Sequence, residues 1–390
     1  VKSFVVCCAT PALLAVIVSC SSSAKPSTDG AAGNGGSTGT DASDAAGDQM
    51  EAGGTFAACA PPTDITNPPA LLSDTGCMDP AHPTQLAAAV IPYEVNSPLW
   101  SDGANKARGM RLPSGGKIHV KNCAANPSEC PQGSADDGKW VFPVGTVMVK
   151  SFMFDGKLVE TRLFMRADAQ TYVGYSYRWD EAQTAATLVP DDRVEVQFNT
   201  GLHTVDWHYP NRVDCMTCHT NQASGILGPE TDQMNRTVGG ANQIDTLQAM
   251  DLFDAPVPQP YAAPLVTPYP SQAGSPPAGA TVEDRARSYL HANCAFCHRP
   301  DADFNLMDLR RGVSFKDMLL CDLSPTKGDQ GVPGAQLLTP TDPQHSIVWL
   351  RMSEPSPDNG RMPKIASYVV DQNAVDLIGA WITSISSCPP

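Results

Sequence analysis

Positive charge is in short supply here: 26 Lys and Arg stand against 41 Asp and Glu in 390 residues, a formal net charge of −15. That balance excludes a nucleic-acid binder and docking on anionic lipid headgroups, and it favours solubility or a basic partner. Long hydrophobic runs are missing too. The apolar stretch within residues 1–20, VKSFVVCCATPALLAVIVSC, is too short for a spanning helix and has no stop-transfer flank, so it reads as a signal peptide. No catalytic constellation stands out in the first half. Glu160, Asp168, Asp180 and Glu181 lack the spacing of a glycosidase pair and are expected to be solvated edge or turn carboxylates. Aromatic residues are sparse and clustered.

What is present begins with export. Ile17-Val18-Ser19-Cys20 resembles a bacterial lipobox, in which Cys20 becomes the lipidated first residue of the mature protein. The opening Val1 reads as a non-AUG start translated literally. Residues 21–57 are Ser, Gly, Ala, Thr and Asp with almost no large apolar side chains, so nothing there offsets the entropy of ordering and the segment reads as a flexible tether. The expected location is the cell envelope, on its periplasmic or outer surface, with the membrane held through lipidated Cys20.

Two stretches carry the chemistry. Tyr209–His219 reads YPNRVDCMTCH and Tyr289–His298 reads YLHANCAFCH. Each holds Cys-x-x-Cys-His, the attachment sequence of a c-type haem. Two thiols separated by two residues reach both vinyl groups of one porphyrin, and the next residue sets an imidazole under the iron. Cys215, Cys218 and His219 then define one site, and Cys294, Cys297 and His298 a second, for two covalently attached haem c groups. The alternative, two zinc half-sites pooled into one four-cysteine cluster, leaves both histidines without a role.

Of 13 cysteines, Cys7 and Cys8 leave with the signal, Cys20 takes lipid and four take haem. Cys59, Cys77, Cys123, Cys130, Cys321 and Cys388 remain, an even set of the kind disulfides leave in an exported chain. Local pairing, Cys59–Cys77, Cys123–Cys130 and Cys321–Cys388, is the simplest of several connectivities.

The pattern over 58–210 predicts an antiparallel β-rich domain, a sandwich or a barrel-like fold. Its clearest strands are Lys117–Val120, Thr146–Phe154, Leu158–Arg166, Tyr172–Trp179 and Arg193–Phe198. Asp155-Gly156 between two of them marks a tight hairpin. Alternation puts Leu158, Glu160, Arg162, Phe164 and Arg166 on one side of their strand, which predicts one wet face. Tyr172, Tyr175, Tyr177 and Trp179 read as sheet packing. Residues 211–280 form the first haem segment, with a short helix Gln243–Leu252 and a Pro-, Ala- and Ser-rich linker from Pro256. Residues 281–390 read as a mostly α, cytochrome-c-like domain. Thr281 caps a helix with Glu283 and Asp284 in its first turn. A strand or turn at Phe304–Leu309 and a short helix at His345–Met352 follow. Val375, Leu377, Ile378, Trp381 and Ile382 trace a last amphipathic helix that should pack across the first.

A six-coordinate haem needs a second axial ligand, commonly Met or His. At the C-terminal site that is Met362, in Gly360-Arg361-Met362-Pro363, with Met352 as the rival. At the N-terminal site His208 is favoured over Met234, His203 and His119. Arg212, Arg236, Arg299, Arg310 and Arg311 are the basic residues near the motifs and are candidates to pair with propionates.

With these residues in view, the chain resembles a family of poorly characterised exported bacterial dihaem proteins with a β-rich first half. The resemblance rests on YEVNSPLWSDG at 93–103, WVFPVG at 140–145, Glu160–Leu163, Tyr175–Trp179, Tyr209–Thr220, Asn235-Arg236, Asn242–Leu247, Arg285–Arg299, Ser346–Arg351 and Arg361-Met362-Pro363. It spans most of 85–385 and implies a whole shared architecture. Members tend to have Leu where this chain has Met234, which weakens Met234 as a ligand. The last domain separately resembles class I cytochrome c, with Cys294, Cys297, His298 and Met362 filling its haem-binding pattern. The expected activity is one-electron transfer with a redox partner, another cytochrome or envelope electron carrier, and without substrate turnover. The alternatives are a dihaem peroxidase-like enzyme, or a β domain that binds a ligand, with Trp100-Ser101-Asp102-Gly103 as a candidate turn, and hands electrons to the haems.

Overall fold

An antiparallel sheet forms first, and helices follow it. The computed structural model describes residues 58–390 except 193, 269–278, 301, 303–306 and 365–366. The expected signal segment, Cys20 and the tether lie outside the described residues, as do part of the linker and of Phe304–Leu309. In chain order the strands are β1 (Ile91–Pro92), β2 (Asn105–Arg111), β3 (His119–Val120), β4 (Trp140–Val141), β5 (Val147–Phe154), β6 (Lys157–Arg166), β7 (Tyr172–Trp179), β8 (Ala186–Leu188), β9 (Val194–Asn199), β10 (Thr204–Tyr209), β11 (Thr237–Val238) and β12 (Ala241–Asn242). The helices are α1 (Arg212–Cys218), α2 (Thr231–Met234), α3 (Gln243–Ala249), α4 (Val282–Asn293), α5 (Ile347–Ser353) and α6 (Gln372–Ser384). Among the described residues, no helix is long and apolar enough to cross a membrane.

One six-stranded sheet, ordered β1-β2-β5-β6-β7-β8, replaces the expected sandwich or barrel. Every pairing in it is antiparallel. Its β5–β6 connection is the expected tight turn, with Asp155 at φ 50° and Gly156 at φ 77°. The β9–β10 hairpin is a separate ladder. It lays Phe198, Trp207 and Tyr209 against Phe152 and Val159.

Register assigns the two faces. Val147, Val149, Leu163, Met165, Tyr175 and Tyr177 share one face and bury against Leu72, Met78 and the Cys59–Cys77 pair. The opposite face carries Lys106, Arg108 and Met110 from β2, Met148, Lys150 and Phe152 from β5, and Glu160, Arg162 and Phe164 from β6. This is the face expected to be wet, and it is not. Glu160 is fully buried, its carboxylate accepting from Arg162 Nε and Nη2, both at 2.8 Å, and from Trp207 Nε1 at 2.9 Å. Helices and loops cover this side, so charged residues there pair or face a cavity rather than water.

The helical region follows its predicted signals closely. Thr281 and Asp284 close a capping box on α4, and Asn211 and Asp214 close another on α1. Val375, Leu377, Ile378, Trp381 and Ile382 of α6 are buried with Ala286, Tyr289 and Leu290 of α4 in one core. All three disulfides take the local pairing, Cys59–Cys77, Cys123–Cys130 and Cys321–Cys388.

Candidate functional site

The first motif sits on α1, which lies against the covered face of the sheet. Close approach there needs a missing side chain. A Cβ on Gly174 of β7 would fall 2.7 Å from Cys215 Sγ and 2.9 Å from its Cβ. His219, just past α1, stacks on Phe164 of β6 with ring centroids 3.9 Å apart. Its Nδ1 donates to the Gly225 carbonyl at 2.7 Å. Burial pushes His219 down to about 4, so the ring is neutral, with its proton on Nδ1 and the Nε2 lone pair available to a metal.

His219, Cys215 and Cys218 line a cavity of about 150 Å³ with Tyr93, Val95, Met148, Phe164, Ile226 and Phe296. His208 of β10 lines it too, buried, with Nε2 3.7 Å from Asp214 Oδ2 and Nδ1 3.9 Å from Glu195 Oε1. Of the four expected distal ligands, His208 alone lines this cavity. His203 pairs with Asp155 near the surface, and His119 pairs with Glu129 and Asp254. Met234 is buried in the core, where its sulfur accepts from Gln243 Nε2.

The second motif begins where α4 ends, with Cys294 as its C-cap. Cys294 and His298 line a larger cavity of about 630 Å³. That volume falls within the range of roughly 300–1,000 Å³ usual for cofactor and ligand pockets. Met362 and Met352 both border it. So does Met307, which sequence spacing did not single out.

Among the described residues, four cysteines stay out of disulfides, and they are the motif cysteines. Burial pushes Cys215 up to about 11 and Cys294 up to about 12, so both are thiols rather than thiolates. The Cys218 thiol is raised first by its contact with Cys297 and then by burial. Cys297 in turn donates to the Thr217 carbonyl at 3.8 Å. The two motifs therefore meet. They do not pool their sulfurs, because among the described residues the one group of three or more gathered metal-ligating side chains is Glu230, Asp232 and His291. That trio is a poor cation site. The Arg311 amide donates to His291 Nδ1 at 2.9 Å, which leaves the proton on Nε2, 2.6 Å from Glu230 Oε1, where a metal would need a lone pair. Lys139 also sits 3.9 Å from Glu230.

Cys-x-x-Cys pairs outside any disulfide, a histidine following each, and a separate largely apolar cavity beside each motif fit what a covalent haem requires. At the first cavity the fit rests on the donor set more than on volume.

The arginines expected near propionates are engaged elsewhere. Arg299 and Arg310 are buried on Asp136 at 2.6 and 2.9 Å, and Arg310 also holds Asp308. Arg212 pairs with Asp191, Arg236 with Glu94 and Arg311 with Asp284. The Trp100–Gly103 turn is a brace. Asp102 Oδ1 accepts from the Tyr368 and Val369 amides and from Ser367 Oγ, and Trp100 Nε1 donates to the Val369 carbonyl. It ties the β half to the loop that follows Met362.

No family model, no curated protein and no solved structure matches this chain.

Proposed function

We propose that the protein is an exported dihaem c-type cytochrome that passes single electrons at the cell envelope, of the dihaem family it resembles and with a cytochrome-c-like C-terminal region. The observation that carries this reading is the meeting of the two motifs. Cys218 and Cys297 are in contact although 79 residues apart (297 − 218), while His219 and His298 face different cavities. Two one-electron centres attached there are neighbours, as a relay needs. When bound, each haem supplies reversible ferric–ferrous chemistry. The chain's own residues hold the two attachment points together, exclude water with Phe164, Phe296 and Leu337, and offer His208 and Met362 as second ligands. Lipidation at Cys20 and a basic or haem-bearing redox partner complete the proposal.

One observation favours a peroxidase-like reading instead. His208 lies between two carboxylates, Asp214 and Glu195, as a distal proton carrier would. Carbon monoxide added to the reduced holoprotein separates the two. Electron transfer with closed coordination predicts no rapid binding at either iron. Rapid binding at one haem, with peroxide turnover, would replace the electron-transfer reading by the enzyme.

A further inference from the structure

Arg108, Lys150 and Arg162 occupy directly opposed positions on three adjacent strands, and all three line the first cavity. Like charges placed opposite each other on a sheet destabilise it. Lys106 stands beside them on β2, and Lys106, Lys150 and Arg162 crowd the Phe152 ring at 5.9, 5.4 and 4.4 Å. The acid within this row is Glu160, already committed to Arg162. Among the described residues, the side chains of Arg108 and Lys150 have neither a hydrogen bond nor an ion pair. Burial, and then the neighbouring cations, drives Lys150 well below its usual range, and burial takes Lys106 down to about 7. In a chain with a net charge of −15, a half-buried row of cations facing a cavity, two of them without an acidic partner, is a site built for an anion.

We propose that Arg108, Lys150 and Arg162 form a carboxylate-binding wall that takes the propionates of the haem attached at Cys215 and Cys218. The inference rests on the dihaem reading. The stoichiometry agrees with it. Two carboxylates neutralise Arg108 and Lys150, while Arg162 bridges from Glu160 to the same group. The acid that lines the same cavity, Asp214, is engaged by the Asn211 amide and by His208, and Arg212, the nearest arginine to the motif in sequence, is spent on Asp191 at 2.6 Å.

The test uses holoprotein carrying Lys150→Met or, independently, Arg108→Met, with Arg212→Gln as the control. Spectroelectrochemistry reads the potential of each haem, and resonance Raman reads the propionate bending modes. Each wall variant should lower the potential of one haem and shift its propionate modes, leaving the other haem unchanged, because a lost cation favours the ferric state. Arg212→Gln should shift neither. The unchanged second haem reports that the fold is intact, and loss of attachment at the first motif alone in either variant also supports the wall. Wild-type potentials and modes in both variants overturn it. So does a shift of wild-type potential on adding succinate that disappears in Lys150→Met, since the wall would then be an open substrate site. If the wild type carries no haem by mass, the dihaem reading itself has failed and the wall falls with it.

Discussion

Asp102 makes the link between the two halves of the chain measurable. Its Oδ1 accepts from Tyr368 N at 2.7 Å, Val369 N at 2.8 Å and Ser367 Oγ at 3.1 Å. A hydrogen bond to a charged group contributes about 1.5–3 kcal/mol when shielded, and less where water replaces it, as at exposed Val369. Burial also raises the Asp102 pKa, so part of this gain offsets desolvation. One full bond and two partial ones come to about 3 kcal/mol. Asp102 sits at φ 49°, which Gly and Asn tolerate and Ala does not, so the clean comparison is Asp102→Gly against Asp102→Asn. Glycine removes every bond and should cost about 3 kcal/mol, while asparagine keeps an acceptor and should cost about 1 kcal/mol. Urea unfolding followed by tryptophan fluorescence measures both. The glycine variant should also weaken any signal of Met362 ligation, because the released segment follows Met362. If asparagine costs as much as glycine, or neither costs more than about 0.5 kcal/mol, the carboxylate is not the clamp.

Replacing Met362 by Ala should abolish the weak near-infrared band of a His–Met haem, one haem's worth, and open that iron to carbon monoxide; a persisting band would move the ligand to Met352 or Met307. Gly174→Ala puts a Cβ against Cys215, so intact mass should show attachment lost or impaired at the first motif with the second spared. Asp136→Asn strands Arg299 and Arg310 and should cost about 3–5 kcal/mol at pH 7. Burial raises the Asp136 pKa, but Lys139, Arg299 and Arg310 outweigh it and hold the carboxyl below its usual value. Its stabilising effect is therefore complete above the unfolded value near 4 and lost as pH falls through the folded one, so the difference between wild type and variant should shrink below about pH 4.

Much of this architecture was legible in local signals. Asp155-Gly156 announced its hairpin, Thr281 and Asp284 their helix start, and short sequence separations the first two disulfides. The inner sheet face was not, because alternation distinguishes polar from apolar and not wet from buried. Glu160 and Arg162 satisfy the rule for a solvent face, yet Glu160 is held by Trp207 of β10 and Arg162 lines the first cavity. For the same reason β2, NKARGMR, carries no apolar strand pattern: Lys106 and Arg108 stand on the covered face and break the period. Closeness to the motifs in sequence does not make arginines available to a propionate. Asp136, more than 160 residues from Arg299 (299 − 136), had already claimed two of them. Charge partners that distant leave no periodic trace.

The most direct test of the central claim is the intact mass of the protein produced with a haem-attachment system, read beside its pyridine haemochrome spectrum. Two covalent haems are expected in the wild type, one in Cys215→Ala/Cys218→Ala and one in Cys294→Ala/Cys297→Ala. A chain that matures with no haem, or that holds zinc on the four cysteines instead, contradicts the account.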